Sequence, residues 1–117
     1  MGERDTYDEH YMQVFLVEVV FMDITFDNII GKTILVGLTY YSKDDEFLEQ
    51  KQFFGTIVTA NVNNGITIQK TGVDEQFSLP PDLRSFSVAA PGEYRLRSTG
   101  EVISDPDLLT TWTIHKP

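Results

Sequence analysis

Residues Phe53 to Gln69, FFGTIVTANVNNGITIQ, read as two short strands joined through Asn63-Asn64-Gly65. Thr56, Val58, Ala60 and Val62 alternate with Ile57, Thr59 and Asn61, the period of a strand with two different faces. Asn64-Gly65 fits a tight hairpin, because both residue types tolerate positive φ. Gly55 is placed to allow sharp curvature, and Ile66 and Ile68 return along the neighbouring strand. Upstream, Ile29 to Tyr41 reads as another strand with Ile34, Val36, Leu38 and Tyr40 on one face. Gly37 in its middle marks a bend, a bulge or a close backbone approach.

Working outward, Tyr11 to Thr25 is rich in β-branched and aromatic residues and is expected to be a long strand, behind an acidic flexible arm at residues 1–10. Phe26-Asp27-Asn28 is a turn signal, and Ser42 to Glu49 an acidic connection with room for one helical turn. Pro80-Pro81 excludes a central strand there. Short strands follow at Arg84–Ala90 and Tyr94–Arg97, with a hairpin at Ser98-Thr99-Gly100. Asp105-Pro106-Asp107 starts a turn, helical if Pro106 takes its first position, before the closing strand TTWTIH. Together these predict an all-β fold: a small, strongly bent SH3/Sm-like barrel or sandwich of about six to eight antiparallel strands with at most one short helix. Residues 11–117 form its single domain.

Composition bounds the function. A chain of 117 residues that is 41% hydrophobic can bury a core without disulfide or metal support. It contains no cysteine, which removes thiol nucleophiles, disulfides and cysteine-based metal sites together. The formal charge of −9 repels phosphate backbones and favours a basic protein partner, so nucleic acid is not expected. The longest apolar run, Val14–Met22, is broken by Glu18 and too short for a bilayer, and MGERDTYDEH lacks the character of a secretory leader. A cytoplasmic protein is expected.

Segment Ile29–Val36 with Gly55–Ile68 resembles the Sm-like family of small β-barrels: the glycine, the apolar residue two later and the final apolar-x-apolar triplet fall at matching spacing. The resemblance implies a bent barrel. In that family an acidic residue and an asparagine at this turn help hold an RNA base; the matching positions here are Asn61 and Gly65. The family's second signature, Arg-Gly followed by Asp or Asn, is replaced by Arg84-Ser85-Phe86. The resemblance therefore implies shape, and RNA binding would need a ring that gathers Lys32, Lys51 and Lys70. The C-terminal third, from Gly92, resembles small bacterial accessory-genome proteins, such as immunity proteins and gene-cassette products.

No catalytic constellation is legible. His10 and His115 have no metal-binding spacing and read as surface residues. Asp44-Asp45-Glu46 and Asp105-Pro106-Asp107 lack the regular calcium-loop pattern and read as solvated acidic loops. No cofactor or metal is expected. In the doublets Tyr40-Tyr41 and Phe53-Phe54, adjacent strand positions place one ring inward and one outward. Tyr41 and Phe53 are the outward candidates, as anchors for a protein partner or for self-association, with a dimer preferred. Asp44, Asp45 and Glu46 would steer that encounter. Arg95 and Arg97, sharing one strand face, are candidate anion grips or cross-strand partners of Glu101. The expected function is a non-enzymatic acidic interaction module; the alternatives are an Sm-like RNA-binding ring and a small-substrate enzyme with its site in the barrel mouth.

Overall fold

The computed structural model describes residues 23–117. The expected arm and most of the strand expected over Tyr11–Thr25 lie outside these residues. The end of that strand is corrected: Asp23 to Thr25 precede a single helical turn, α1 (Phe26–Ile29). Thr25 caps it, its side chain accepting from the Asn28 N–H at 3.2 Å while Asn28 Oδ1 accepts from the Thr25 N–H at 2.9 Å. This reciprocal pair satisfies two amides that a helix start leaves orphaned.

Eight strands follow: β1 (Thr33–Tyr41), β2 (Phe47–Asn61), β3 (Gly65–Lys70), β4 (Gln76–Leu79), β5 (Phe86–Val88), β6 (Glu93–Arg95), β7 (Val102–Ser104) and β8 (Leu108–His115). Six form one sheet in the order β4-β3-β2-β1-β8-β5, and β6-β7 is a separate hairpin. The described residues are mostly strand, with one short helix. The sheet is mixed and open, since β4 and β5 end it without pairing to each other. The all-antiparallel expectation is corrected by β1 and β8, which run parallel from Ile34↔Leu108 to Tyr41↔His115. Hydrophobic alternation reveals which face a residue takes but not the direction of its neighbour. A parallel pair also needs a long crossover, here everything from β2 to β7.

β1 behaves as its pattern dictates. Ile34, Val36 and Leu38 are buried, and Tyr40 packs on the same cluster with Ile57, Ile66, Ile68, Leu79, Phe86 and Leu108. Leu35 faces the other way and joins Leu96 and Ile103 in a second, small core beneath the β6-β7 hairpin. The register through Gly37 is regular, so no bulge lies there, and a Cβ at this position would meet the Thr111 methyl at 3.4 Å.

The bend lies instead in the 15-residue β2. Its first part pairs with β1 and its last part with β3, and Gly55 is where the second pairing begins. A Cβ at Gly55 would stand 2.4 Å from the Gln69 carbonyl oxygen. The strict alternation expected over Thr56–Val62 is corrected by a bulge: Ile57 pairs with Ile68 and Thr59 with Thr67, leaving Val58 extra. Ile57 and Ala60 are therefore both buried while Val58 is exposed. One inserted residue resets the face of everything after it.

Two turns also differ from expectation. Asn64 does not take positive φ; the connection is Val62-Asn63-Asn64, closed by Gly65 at φ 83. Asn61 Oδ1 shapes it by accepting from the Asn63 and Asn64 amides at 3.0 and 2.7 Å. Ser42–Glu49 holds no helical turn: β2 already starts at Phe47, and Asp45 at φ 66 reverses the chain. The Asp105 turn is likewise not helical, with Asp105 at φ 49.

Candidate functional site

The end of the β1-β2 hairpin collects four of the expected residues, Tyr41, Asp44, Asp45 and Glu46. Register explains the gathering, because Tyr41 is paired with Phe47 on one side and His115 on the other. Three rings thus sit side by side. His115 stacks on Tyr41 at 5.6 Å with 24° between the planes, and Phe47 meets Tyr41 edge-on at 6.1 Å. His115 Nε2 lies 2.8 Å from Asp45 Oδ1, which ties the last strand to the turn. The turn itself is shaped by Ser42 Oγ, which accepts from the Asp44 and Glu46 amides, both at 3.1 Å. Those bonds hold three successive carboxylates against water beside the rings. Phe47 is 60% exposed and Leu48 46%, although both are large and apolar. Asp44 and Glu46 enter no ion pair among the described residues.

Phe53 lies elsewhere. It packs on Phe77 at 5.1 Å and is covered by Lys70, whose Nζ is 4.9 Å from the ring centroid. Phe53 is therefore partly buried rather than outward, while Phe54 belongs to the small core. A cavity of about 340 Å³ includes Tyr40, Lys51, Phe53, Lys70 and Phe77 in its lining. Lys32 lines a different cavity with Asp105 and Asp107, so the three lysines of an RNA collar are not brought together within one chain.

Arg95 and Arg97 are both exposed, but β6 ends at Arg95 and Arg97 lies in the turn that follows, so they do not stand on one strand. The expected pairing with Glu101 is absent. Arg95 Nη1 donates to the Gly100 carbonyl at 3.3 Å, and the Arg97 amide donates to Gln52 Oε1 at 2.6 Å. The Arg97 guanidinium enters no ion pair among the described residues.

The displaced acid is remote from this end. Arg84 grips the Asp82 carboxylate through both Nε and Nη2, with a further bond from its own amide, and holds the Asp82 pKa down at about 2. Asp82 in turn raises the Arg84 pKa. Since this one acid and one base form a surface clamp in the β4-β5 connection, the displacement fits a structural ion pair and not a poised proton donor. Among the described residues no three His, Asp or Glu side chains converge as a metal site would need, and no helix is long and apolar enough to cross a membrane.

Sequence reasoning missed Phe47, Leu48 and His115. His115 reaches the level of the hairpin turn only once β8 is laid parallel to β1, and Phe47 and Leu48 were read as part of an acidic connection where β2 already begins. Compared with known proteins, the chain matches no family model, no curated protein and no solved structure.

Proposed function

We propose that this protein is a non-enzymatic interaction module that binds a basic protein surface through the end of the β1-β2 hairpin. One observation carries the reading: the exposed rings of Phe47 and His115 flank the half-buried ring of Tyr41 and stand beside Asp44, Asp45 and Glu46. Aromatic anchors supply apolar area at little entropic cost, and a carboxylate rim steers cations toward them. Within Ser42–Glu49 there is one lysine against four acids, so the local sign follows that of the whole chain. A toxin-neutralising role is the form of this reading that suits an acidic cytoplasmic protein facing a basic partner. A barrel-like, SH3/Sm-like description of the sheet belongs to the same proposal and is supported by the bend of β2 at Gly55 and Val58.

The test uses an arginine-rich peptide as the probe. Replacing Asp44 and Asp45 by Asn and Glu46 by Gln together is expected to slow association about ten-fold at low salt and to change little at high salt. Phe47→Ala is expected to speed dissociation, weakening binding by about 2 kcal/mol. Variants that bind as the wild type does would refute the site.

A second reading, Sm-like RNA binding, is favoured by the lysines and rings around the 340 Å³ cavity. Against it, Asn61 at the family's RNA-binding position spends its side chain on its own turn.

A further inference from the structure

β2 is paired on both sides only in its last part. β3 contacts it from Gly55 onward, and the final link across that side is the Thr71 amide donating to the Phe54 carbonyl at 2.9 Å. Before Phe54 the strand keeps β1 on one side and, among the described residues, no strand on the other, although the Gln52 side chain accepts from the Arg97 amide. Backbone groups alternate in direction along a strand. Phe54 points away from β1, so Gln52 and Gln50 do too, and their amides and carbonyls form an open edge. Such an edge is a template for another strand unless it is guarded. Lysine is a common guard, and here Lys51 is exposed.

The guard is self-complementary. Glu49 and Lys51 flank Gln50 on one face of β2, 3.3 Å apart. When two copies of this edge meet antiparallel about a two-fold axis at Gln50, each Glu49 stands opposite the other copy's Lys51. Centring on Glu49 or on Lys51 would instead set like charges against each other, which destabilises a cross-strand pair. Centring on Gln52 would push the pairing into Gly55, which β3 already occupies. Only the Gln50 register satisfies the backbone and the charges together. A two-fold contact of this kind is isologous and closes at two copies.

We infer that the Glu49–Gln52 edge of β2, which begins just after a bulge at Leu48, pairs antiparallel with the same edge of a second copy of this chain, with Gln50 at the two-fold axis. This goes beyond the hairpin-end reading, since it uses a different surface and a different partner.

The experiment is sedimentation equilibrium of the full chain over a concentration series, with four variants. The wild type is expected to dimerise. Glu49→Lys and Lys51→Glu alone each create two like-charge oppositions per dimer and should weaken it about ten-fold. The double exchange Glu49→Lys with Lys51→Glu should restore it, whereas an effect of net charge alone would move the two single variants in opposite directions. Gln50→Pro removes an outward N–H and the long Gln50 Nε2 bond to Thr39 Oγ1 at 3.4 Å, leaves the β1 backbone ladder intact and should yield a monomer. A wild type that stays monomeric overturns the inference. If Gln50→Pro then lowers its melting temperature, the edge is occupied by another segment of the same chain. A dimer indifferent to all four variants also overturns it, placing the contact elsewhere. Peptide binding at the hairpin end should survive Gln50→Pro, so the two proposals fail separately.

Discussion

Gly65→Ala is expected to lower the melting temperature by roughly 15 °C. Two costs add at this position. With φ at 83, an alanine there enters the left-handed region at about 1–2 kcal/mol. In addition, its Cβ would lie 2.3 Å from the Leu79 carbonyl oxygen, so β4 must move away from β3 and disturb the ladder from Ile66↔Leu79 to Gln69↔Gln76. We expect about 3–4 kcal/mol in total, at the upper end for a point change. Gly72→Ala separates the two terms, because its φ is 84 but a Cβ there would meet nothing within 4 Å. It should cost only about 1 kcal/mol. Thermal denaturation of both variants checks this, and equal losses would show that the close approach of β4 contributes nothing.

Leu96→Ala should act locally. The β6-β7 hairpin shares no strand pairing with the six-stranded sheet. Its apolar attachment is the small core in which Leu35, Leu96 and Ile103 are buried, with Phe54, Tyr94 and Leu109 packed around them. Leu96 is 1% exposed, and truncating such a leucine costs about 3–5 kcal/mol. The main core, from Ile29 to Leu108, lies in a separate cluster and loses nothing. Hydrogen exchange should therefore show lost amide protection over Tyr94–Ile103 while β1, β2 and β3 remain protected. Uniform loss across both sheets would mean the hairpin and sheet unfold as one unit.

What the sequence revealed follows the physics of each signal. Alternation in Ile34–Tyr40 located a buried face correctly, because the register of β1 is uninterrupted from Thr33 to Tyr40. The same logic failed after Ile57, since a bulge is a backbone event that no side chain at Val58 announces. Pro80-Pro81 ended β4 as expected, for proline removes the donor that a ladder requires. The parallel placement of β8 was not legible, because it depends on how the chain crosses over and not on the strand's own residues. A reciprocal bond fixes its start: the Asp107 carboxylate accepts from the Thr33 amide and hydroxyl, and Thr33 Oγ1 accepts from the Asp107 amide. The acidic turn and Tyr41 were read from charge and doublet parity. Phe47 became visible only when the shifted antiparallel register of β2 set it opposite Tyr41, and His115 only when the parallel strand set it on the other side.

The central claim is that binding occurs at the ringed, acidic end of the β1-β2 hairpin. Amide chemical-shift mapping during titration with the arginine-rich peptide tests it most directly. The account predicts shifts concentrated in Tyr41–Phe47 and at His115, diminishing as salt is raised. Shifts centred instead on Lys51, Phe53 and Lys70, or on Arg95 and Arg97, or spread evenly over the acidic surface, would contradict it.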